Sequence, residues 1–464
     1  MTDLLNFDKF YLVGIKGVAM TSLAQILIDA GKKVTGSDVA EEFVTQDILN
    51  KLNLEIDLDF KTTLPTDIDC VIYTAAHQAL KNPQVQQALS KNIPVVSQAE
   101  AVASLFNQQA GVAVCGVGGK SSVSAMIAWV LNDLKHDFSF SVGVGNIPGI
   151  NKTGQWHSSA SNFVIEADEY VINPQAGFSA QARFSFLKPY LIVCTNLKFD
   201  HPDVYRDFDH TKKTYHNFFR QLKPAGKLII KDTDLKHLED FPTDPLTFGE
   251  SPAATLSLKS YHSQTGQTNS QFTFQGKTYQ LNLQLPGKYN VMNALSAILA
   301  LIQIGIKPQT AADSLTSFRS TKRRFEFIGE KNQVKYYDDY AHHPHEIKAA
   351  ITALADWYPH HRKVIAFQSH TYSRTKKLFT EFVDAFSQAD EVVMIDIFSS
   401  AREEKDLTVS SDKLCAAINK KHNLPANNLK TISELAKFCQ NELQPGDVML
   451  TVGAGDIYQV HNLV

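Results

Sequence analysis

Short apolar runs alternate with amphipathic stretches along nearly the whole chain, the pattern of strands buried on both faces and separated by helices. FYLVGI leads through a glycine turn at Gly14 and Gly17 into VAMTSLAQILIDA, whose apolar positions recur at helical spacing. Gly31 then stops the helix before the strand KVTGSD, which ends in Asp38. This β-α-β opening is of the nucleotide-binding type, continued by strands VIYTAA (71–76) and PVVS (94–97) and a helix EAVASLF (100–106). The same alternation resumes with FVIEA (163–167), YLIVCTN (190–196) and a helix around 209–222. A polar β-rich stretch (226–282) and the apolar helix NALSAILALIQIG (293–305) follow. From Ser320 it runs once more: YYDDYA, a helix from Pro344 to Trp357, KVIAFQ, a helix from Thr375 to Gln388, EVVMIDI, and VMLTVGAGD before a short last helix.

Alternation of this kind predicts an α/β protein of three domains. A Rossmann-like domain is expected over 1–107 and a central phosphate-loop ATPase domain over 108–319. The central sheet is expected to be mainly parallel, with antiparallel β additions over 226–282, and a second Rossmann-like domain over 320–464. A length of 464 residues fits three cores better than one. With 45 basic against 48 acidic residues and no basic block, no nucleic-acid partner is expected. No apolar run reaches membrane-spanning length, and MTDLLNFDKF lacks the charged and apolar regions of a signal peptide, so the expected setting is cytoplasmic, without membrane attachment. Five scattered cysteines read as reduced thiols.

The chemistry concentrates at CGVGGKSS. Gly116, Gly118 and Gly119 permit backbone angles that close amide N–H groups around an anion, and the following helix, expected to begin near Ser122, adds its positive end. Lys120 is placed to reach nucleotide phosphates, and the paired hydroxyls of Ser121 and Ser122 follow, with Ser121 positioned for Mg²⁺. The spacing is the shortened GxxGKS form, since Val114 stands where the longer motif has its first glycine. Glu166, in IEADEY, and His201, in NLKFDHPDVY, both follow strands at the edge where such sheets bind ligands. They are the candidate metal ligands, Glu166 the better suited to Mg²⁺ and His201 alternatively a loop or capping residue. In the first block the third glycine of a dinucleotide fingerprint is replaced by Met20, which argues against a nicotinamide enzyme.

GIKGVAM, TGSD, CGVGGKSS, IEADE, TNLKFDH, LPGKYNVMNALSA, RRFE, DDYAHHPHE, FQSHTYSRT and VGAGDI together resemble the Mur ligases, ATP-dependent enzymes that add amino acids to UDP-N-acetylmuramic acid in peptidoglycan assembly. The resemblance implies ATP and Mg²⁺ as cofactors, UDP-N-acetylmuramate and L-alanine as substrates, and a monomer or weak homodimer. Carried onto this chain, it implies catalytic roles for Lys120, Glu166, His201, His370 and Arg374. Asn290 and Asn293 fall on the adenine side, where the alternative is a pair of helix-capping amides. Arg324, Asp339 and His343 are implied to reach the nucleotide from the third domain; a zinc site in HHPHE is the rival reading, weakened because Pro344 interrupts the spacing. Gly17, Ser37, Asp38 and His77 are implied to hold the uridine diphosphate, and Tyr372, with His370 and Arg374, to face the amino acid, an arginine there suiting a carboxylate.

Three departures from the family pattern stand out. Val117 and Gly118 replace the usual Thr-His, about 20 residues separate IEADEY from the next strand, and Gln98 stands where an arginine is usual. The long segment and NLKFDH look more like the family branch that recycles a whole tripeptide, L-alanyl-γ-D-glutamyl-meso-diaminopimelate. FQSHTYSRT, DIFSSAREE and VGAGD look like the branch that adds L-alanine. A nucleotide-binding protein with this fold and no ligation is a third reading.

Overall fold

The computed structural model describes residues 4–237, 239–399 and 405–464, and the chain divides into two compact units. One comprises Met1–Lys259, Gln271–Leu281 and Met292–Lys322; the other comprises Ser260–Ser270, Asn282–Val291 and Arg323–Val464.

Five strands open the first unit: β1 (Lys9–Val13), β2 (Lys33–Ser37), β3 (Ile56–Asp57), β4 (Cys70–Tyr73) and β5 (Val95–Ser97). They form one parallel sheet in the order β3-β2-β1-β4-β5. The order reverses between β1 and β4, which opens a crevice at their carboxyl ends. Gly14–Gly17 and Thr74–His77 sit there. Gly36 is required by packing, because a Cβ on it would lie 2.4 Å from the Leu12 carbonyl oxygen.

Ten strands make the next sheet: β6 (Ala110–Cys115), β7 (Phe138–Ser141), β8 (Gly154–Gln155), β9 (Asn162–Glu166), β10 (Leu191–Cys194), β11 (Lys227–Lys231), β12 (Leu246–Gly249), β13 (Leu256–Gln264), β14 (Gln267–Phe274) and β15 (Lys277–Leu283). Their order is β15-β14-β13-β12-β11-β10-β6-β9-β7-β8. β6 therefore lies at the switch point, with β9 on one side and β10 on the other, both parallel to it. Val112–Cys115 are buried on both faces, which is why this strand reads as an unbroken apolar run. Within the stretch expected to carry antiparallel additions, β11, β12 and the start of β13 first extend the sheet in parallel, and the antiparallel additions follow where two-residue turns fold β13, β14 and β15 back on one another; β7/β8 is antiparallel as well. Polar alternation marks exposure of one face and does not report strand direction.

A buried polar seam joins the two sheets of this unit. Ser22 Oγ lies 2.8 Å from Ser141 Oγ and the Gln25 amide donates to Thr153 Oγ1 at 2.8 Å, with the exposed pair Lys152–Asp29 at 2.9 Å on its rim. Gly154 packs so closely that a Cβ would fall 2.1 Å from the Ser22 carbonyl oxygen.

The second unit holds β16 (Glu326–Lys331), β17 (Val334–Asp339), β18 (Lys363–Phe367), β19 (Glu391–Met394), β20 (Ala426–Asn428) and β21 (Val448–Val452), in the order β16-β17-β21-β18-β19-β20. All pairs are parallel except β16/β17. The helix Pro344–Trp357 forms as expected, with Pro344 at its first turn. The helix expected over Thr375–Gln388 is two, Tyr372–Lys377 and Phe379–Ala385, broken at Leu378, whose φ of −108° and ψ of 25° leave the helical region. Part of DIFSSAREE, residues 400–404, lies outside the described residues.

Candidate active site

At the end of β6 the chain turns sharply through Gly116 (φ +122°) and Gly119 (φ +87°). Gly119 precedes the helix Lys120–Asp133 with no side-chain cap, so no side chain covers the helix's amide end. The helix thus starts two residues before the expected Ser122, because a left-handed Gly119 delivers the chain directly into the first turn and places Lys120, Ser121 and Ser122 on it. Thr195 and Asn196, just past β10, grip the loop: Thr195 Oγ1 donates to the Gly118 carbonyl at 2.5 Å, and the Asn196 amide donates to it at 2.7 Å while accepting from the Gly118 N–H at 3.2 Å. Asn293 packs against Gly119, where a Cβ would lie 2.5 Å from Asn293 Oδ1.

Each acid of IEADE has its own partner. Glu166, the last residue of β9, accepts from Ser121 Oγ at 2.9 Å and from the Gly143 N–H at 2.8 Å. Asp168 accepts from Arg183 at 3.0 Å; burial pushes its carboxyl up, but Arg183, Lys120 and His201 bring it below the ordinary carboxylate value. Glu169, 2% exposed, takes Lys120 Nζ between its two oxygens at 3.0 and 2.8 Å. Burial works against the Lys120 charge, yet Glu169, Asp168 and Glu166 outweigh it and hold the ammonium above its usual pKa. His201, at φ +55°, stacks near Tyr170 with ring centres 4.8 Å apart and brings Nε2 to 3.6 Å from Glu169. Lys120, Ser121, Glu166 and His201 are therefore gathered as expected. Glu169 was the missed member, hidden among three acids within four residues.

Mg²⁺ coordinates oxygens at about 2.0–2.1 Å in an octahedron, so adjacent ligand oxygens stand about 2.9 Å apart. The Ser121 Oγ to Glu166 Oε1 distance matches that spacing. Among the described residues no three His, Cys, Asp or Glu side chains converge on one point.

In the β1/β4 crevice Gly17 stands at the start of the helix Val18–Asp29 with no side-chain cap. Asp38 accepts from the Lys16 N–H at 2.7 Å and lies 3.3 Å from His77 Nε2, and the Phe60 ring packs tilted against that of His77 with centres 4.7 Å apart. His77, Gln78 and Ala79 all have positive φ, a strained run for residues with side chains. Ser37 is different: fully buried, it donates its hydroxyl to Gln84 at 2.5 Å, an inward role that its strand-end position did not reveal.

In the second unit the carboxyl ends of β17, β18 and β21 carry the implied residues. Arg324 lies over the Tyr340 ring at 4.9 Å. Asp339 accepts from the Phe325 and Ala341 N–H groups at 2.8 and 2.6 Å; burial, against the pull of Arg324, pushes its pKa up to about 6. Its proton is thus held more tightly in the fold than at the ordinary 3.8, so stability is expected to fall as pH rises from about 4 to about 6. Melting temperature against pH should show that decline, and Asp339→Asn should flatten it. His343 caps the helix Pro344–Trp357 in a reciprocal box with Glu346, and Asn290 donates to the Pro286 carbonyl at 2.9 Å. Arg374, 4% exposed, donates to the His370 carbonyl at 3.3 Å, while His370 stacks on Phe398 at 5.5 Å and Tyr372 begins the next helix. Arg323, its neighbour Arg324's double in RRFE, is a buried tie: it donates to Asp338 at 2.9 Å and to the carbonyls of Gly453 and Gly455 at 2.6 and 3.1 Å.

Three family models match the chain in series. They are the Mur ligase family, catalytic domain, over 9–110, the Mur ligase middle domain over 114–301, and the Mur ligase, glutamate ligase domain, over 323–455. The UDP-N-acetylmuramate–L-alanine ligase of Desulfitobacterium hafniense is 33% identical over 462 residues, 97% of this chain and 98% of that one. Among solved structures, the UDP-N-acetylmuramate-alanine ligase of Thermotoga maritima aligns with a TM-score of 0.80 at 25% identity, covering 98% of this chain and 97% of that one. A murein peptide ligase of Psychrobacter arcticus shares the fold, with a TM-score of 0.68 at 21% identity over 98% and 97% of the two chains. By its full-length match to these relatives, the chain belongs to the Mur ligase family.

Proposed function

We propose that this chain is an ATP-dependent, amide-bond-forming ligase that joins L-alanine to the carboxylate of UDP-N-acetylmuramate in peptidoglycan precursor synthesis. The observation that carries the reading is the phosphate loop at the β6 switch point, with Lys120 paired to Glu169 and Ser121 bonded to Glu166, in a chain similar end to end to a ligase of that name.

A carboxylate oxygen of the sugar attacks the γ-phosphorus of ATP, the bond to the β-phosphate oxygen breaks, and an acyl phosphate and ADP result. Lys120 neutralises the charge that builds on the phosphoryl oxygens, and the amides at the Gly119–Ser122 helix end hold them in line. Ser121 and Glu166 are the residues to hold Mg²⁺, which supplies further charge neutralisation when bound, and His201 stands beside them. The L-alanine amine then attacks the acyl carbon, phosphate departs from the tetrahedral intermediate, and the amine proton is lost. Arg374 is the candidate for the alanine carboxylate, with His370 and Tyr372 beside it. Asn293, Asn290, Arg324, Asp339 and His343 are assigned to the nucleotide, and Gly17, Asp38 and His77 to the uridine diphosphate, with Ser37 supporting them from the core.

The long segment after IEADEY favours the tripeptide-recycling reading by its sequence. Of its 3₁₀ turns, Pro174–Ser179 and Arg183–Phe186, the second is anchored on Asp168 beside the phosphate loop, while acceptor choice is assigned to the FQSHTYSRT region. ADP release measured with UDP-N-acetylmuramate and either L-alanine or the tripeptide decides between them: response to L-alanine is expected, and response to the tripeptide alone overturns the assignment. Absence of any coupled product by mass spectrometry, under saturating ATP and Mg²⁺, would leave a nucleotide-binding protein.

A further inference from the structure

Lys120 has three N–H donors, and two of them point at the oxygens of one carboxylate, Glu169, at 2.8 and 3.0 Å. The pair is well sheltered, with side-chain exposures of 13% and 2%. Glu169 is also fixed from behind, since the Tyr205 hydroxyl donates to its backbone carbonyl. Its neighbours in IEADE are committed elsewhere: Glu166 to Ser121 and Gly143, Asp168 to Arg183. Any phosphate that recruits Lys120 therefore has to contend with a carboxylate already holding that ammonium in a charge-assisted, two-pronged contact.

We propose that Glu169 is a positioning residue that competes with nucleotide phosphates for Lys120, so that phosphate affinity is set by this acid as well as by the glycine loop. The proposal rests on the reading of Lys120 as a phosphate ligand. Its consequence is counter-intuitive. Removing a buried charge partner that merely supports the fold loosens a site, whereas removing a competitor tightens it. Glu169→Gln keeps the shape and an acceptor for Lys120 but removes the charge, leaving the ammonium more in need of an anion. His201, 3.6 Å from Glu169, is the group best placed to take up the carboxylate when Lys120 turns to phosphate.

The test is equilibrium binding of ADP without metal, together with the KM for ATP in the complete reaction. Glu169→Gln is expected to lower the ADP dissociation constant about tenfold and the ATP KM in the same direction, with a smaller change in kcat. Glu169→Asp, which retains the charge, should return affinity toward that of the unmodified chain. Tyr205→Phe, which removes the hydroxyl that pins Glu169 by its backbone carbonyl, should tighten ADP binding by about twofold to threefold and stands in if Glu169→Gln does not fold. Unchanged or weaker ADP binding in folded Glu169→Gln, or in Tyr205→Phe where Glu169→Gln does not fold, overturns the proposal. Lys120→Ala separates the two levels: if it leaves ADP binding untouched, the phosphate-loop reading itself has failed; if it weakens binding while Glu169→Gln does not tighten it, only the competition has.

Discussion

Lys120→Ala is expected to cut ADP formation by about a thousandfold or more, the loss typical when a preorganised charge facing a developing negative charge is removed. The site keeps this ammonium charged despite its burial, because three carboxylates of one strand-end segment surround it. The substitution has a second effect that has to be separated from the first. Glu169, 2% exposed, loses the partner that compensates its charge, and breaking a buried pair from one side costs about 3–5 kcal/mol. Combining Lys120→Ala with Glu169→Gln removes both charges together. That double variant is expected to regain most of the stability, read by chemical denaturation, and none of the activity, read by coupled ADP release. Full turnover in either variant would remove Lys120 from the mechanism.

The order of strands and helices was legible because its cause is local. Strands such as Val112–Cys115 are covered on both faces and read as unbroken apolar runs, and glycines mark the sharp turns into helices. The phosphate loop was legible for the same reason, since its backbone angles demand residue types that few other structures need. What escaped is what depends on direction in space. Where parallel pairing ends and antiparallel begins was not legible either: β11, β12 and the start of β13 run with their neighbours, and only the hairpins β13–β15 run against them. Ser37 ends a strand beside Asp38, yet the pleat turns one side chain into the core and the other toward the crevice. His343 lies among residues implied to meet the nucleotide, and its backbone position makes it a helix cap. Glu169 could not be told from Glu166 and Asp168 by type or spacing, because only the path of the chain after β9 decides which acid faces the lysine. Arg323 and Arg324 pose the same difficulty: adjacent in sequence, both lie over Tyr340, but Arg323 also ties the Gly453–Gly455 loop inside the fold.

Gly116→Ala is expected to be the most damaging single methyl in the molecule's central sheet, and the reason lies in two constraints that act together. At φ +122° a side chain is strained whatever surrounds it, a cost of about 1–3 kcal/mol. Here there is also no space: the new Cβ would lie 2.2 Å from Thr195 Oγ1 and 2.8 and 2.9 Å from the carbonyl oxygen and nitrogen of Asn196. Thr195 is unable to step aside without releasing the Gly118 carbonyl that it holds at 2.5 Å, and the Asn196 contacts are backbone. Gly177 is the steric control, since it too has positive φ (+55°, with ψ −133°) but nothing within 4 Å of the added methyl, so Gly177→Ala should cost about 1–3 kcal/mol of backbone strain alone and leave ADP binding intact. Thr195→Ala added to Gly116→Ala removes one of the three clashes and leaves the backbone pair, so it should not restore binding. Recovery of ADP affinity in that double variant would show that the Thr195 hydroxyl alone sets the turn, and that the phosphate loop is held by a side chain rather than by the close approach of two strands at the switch point.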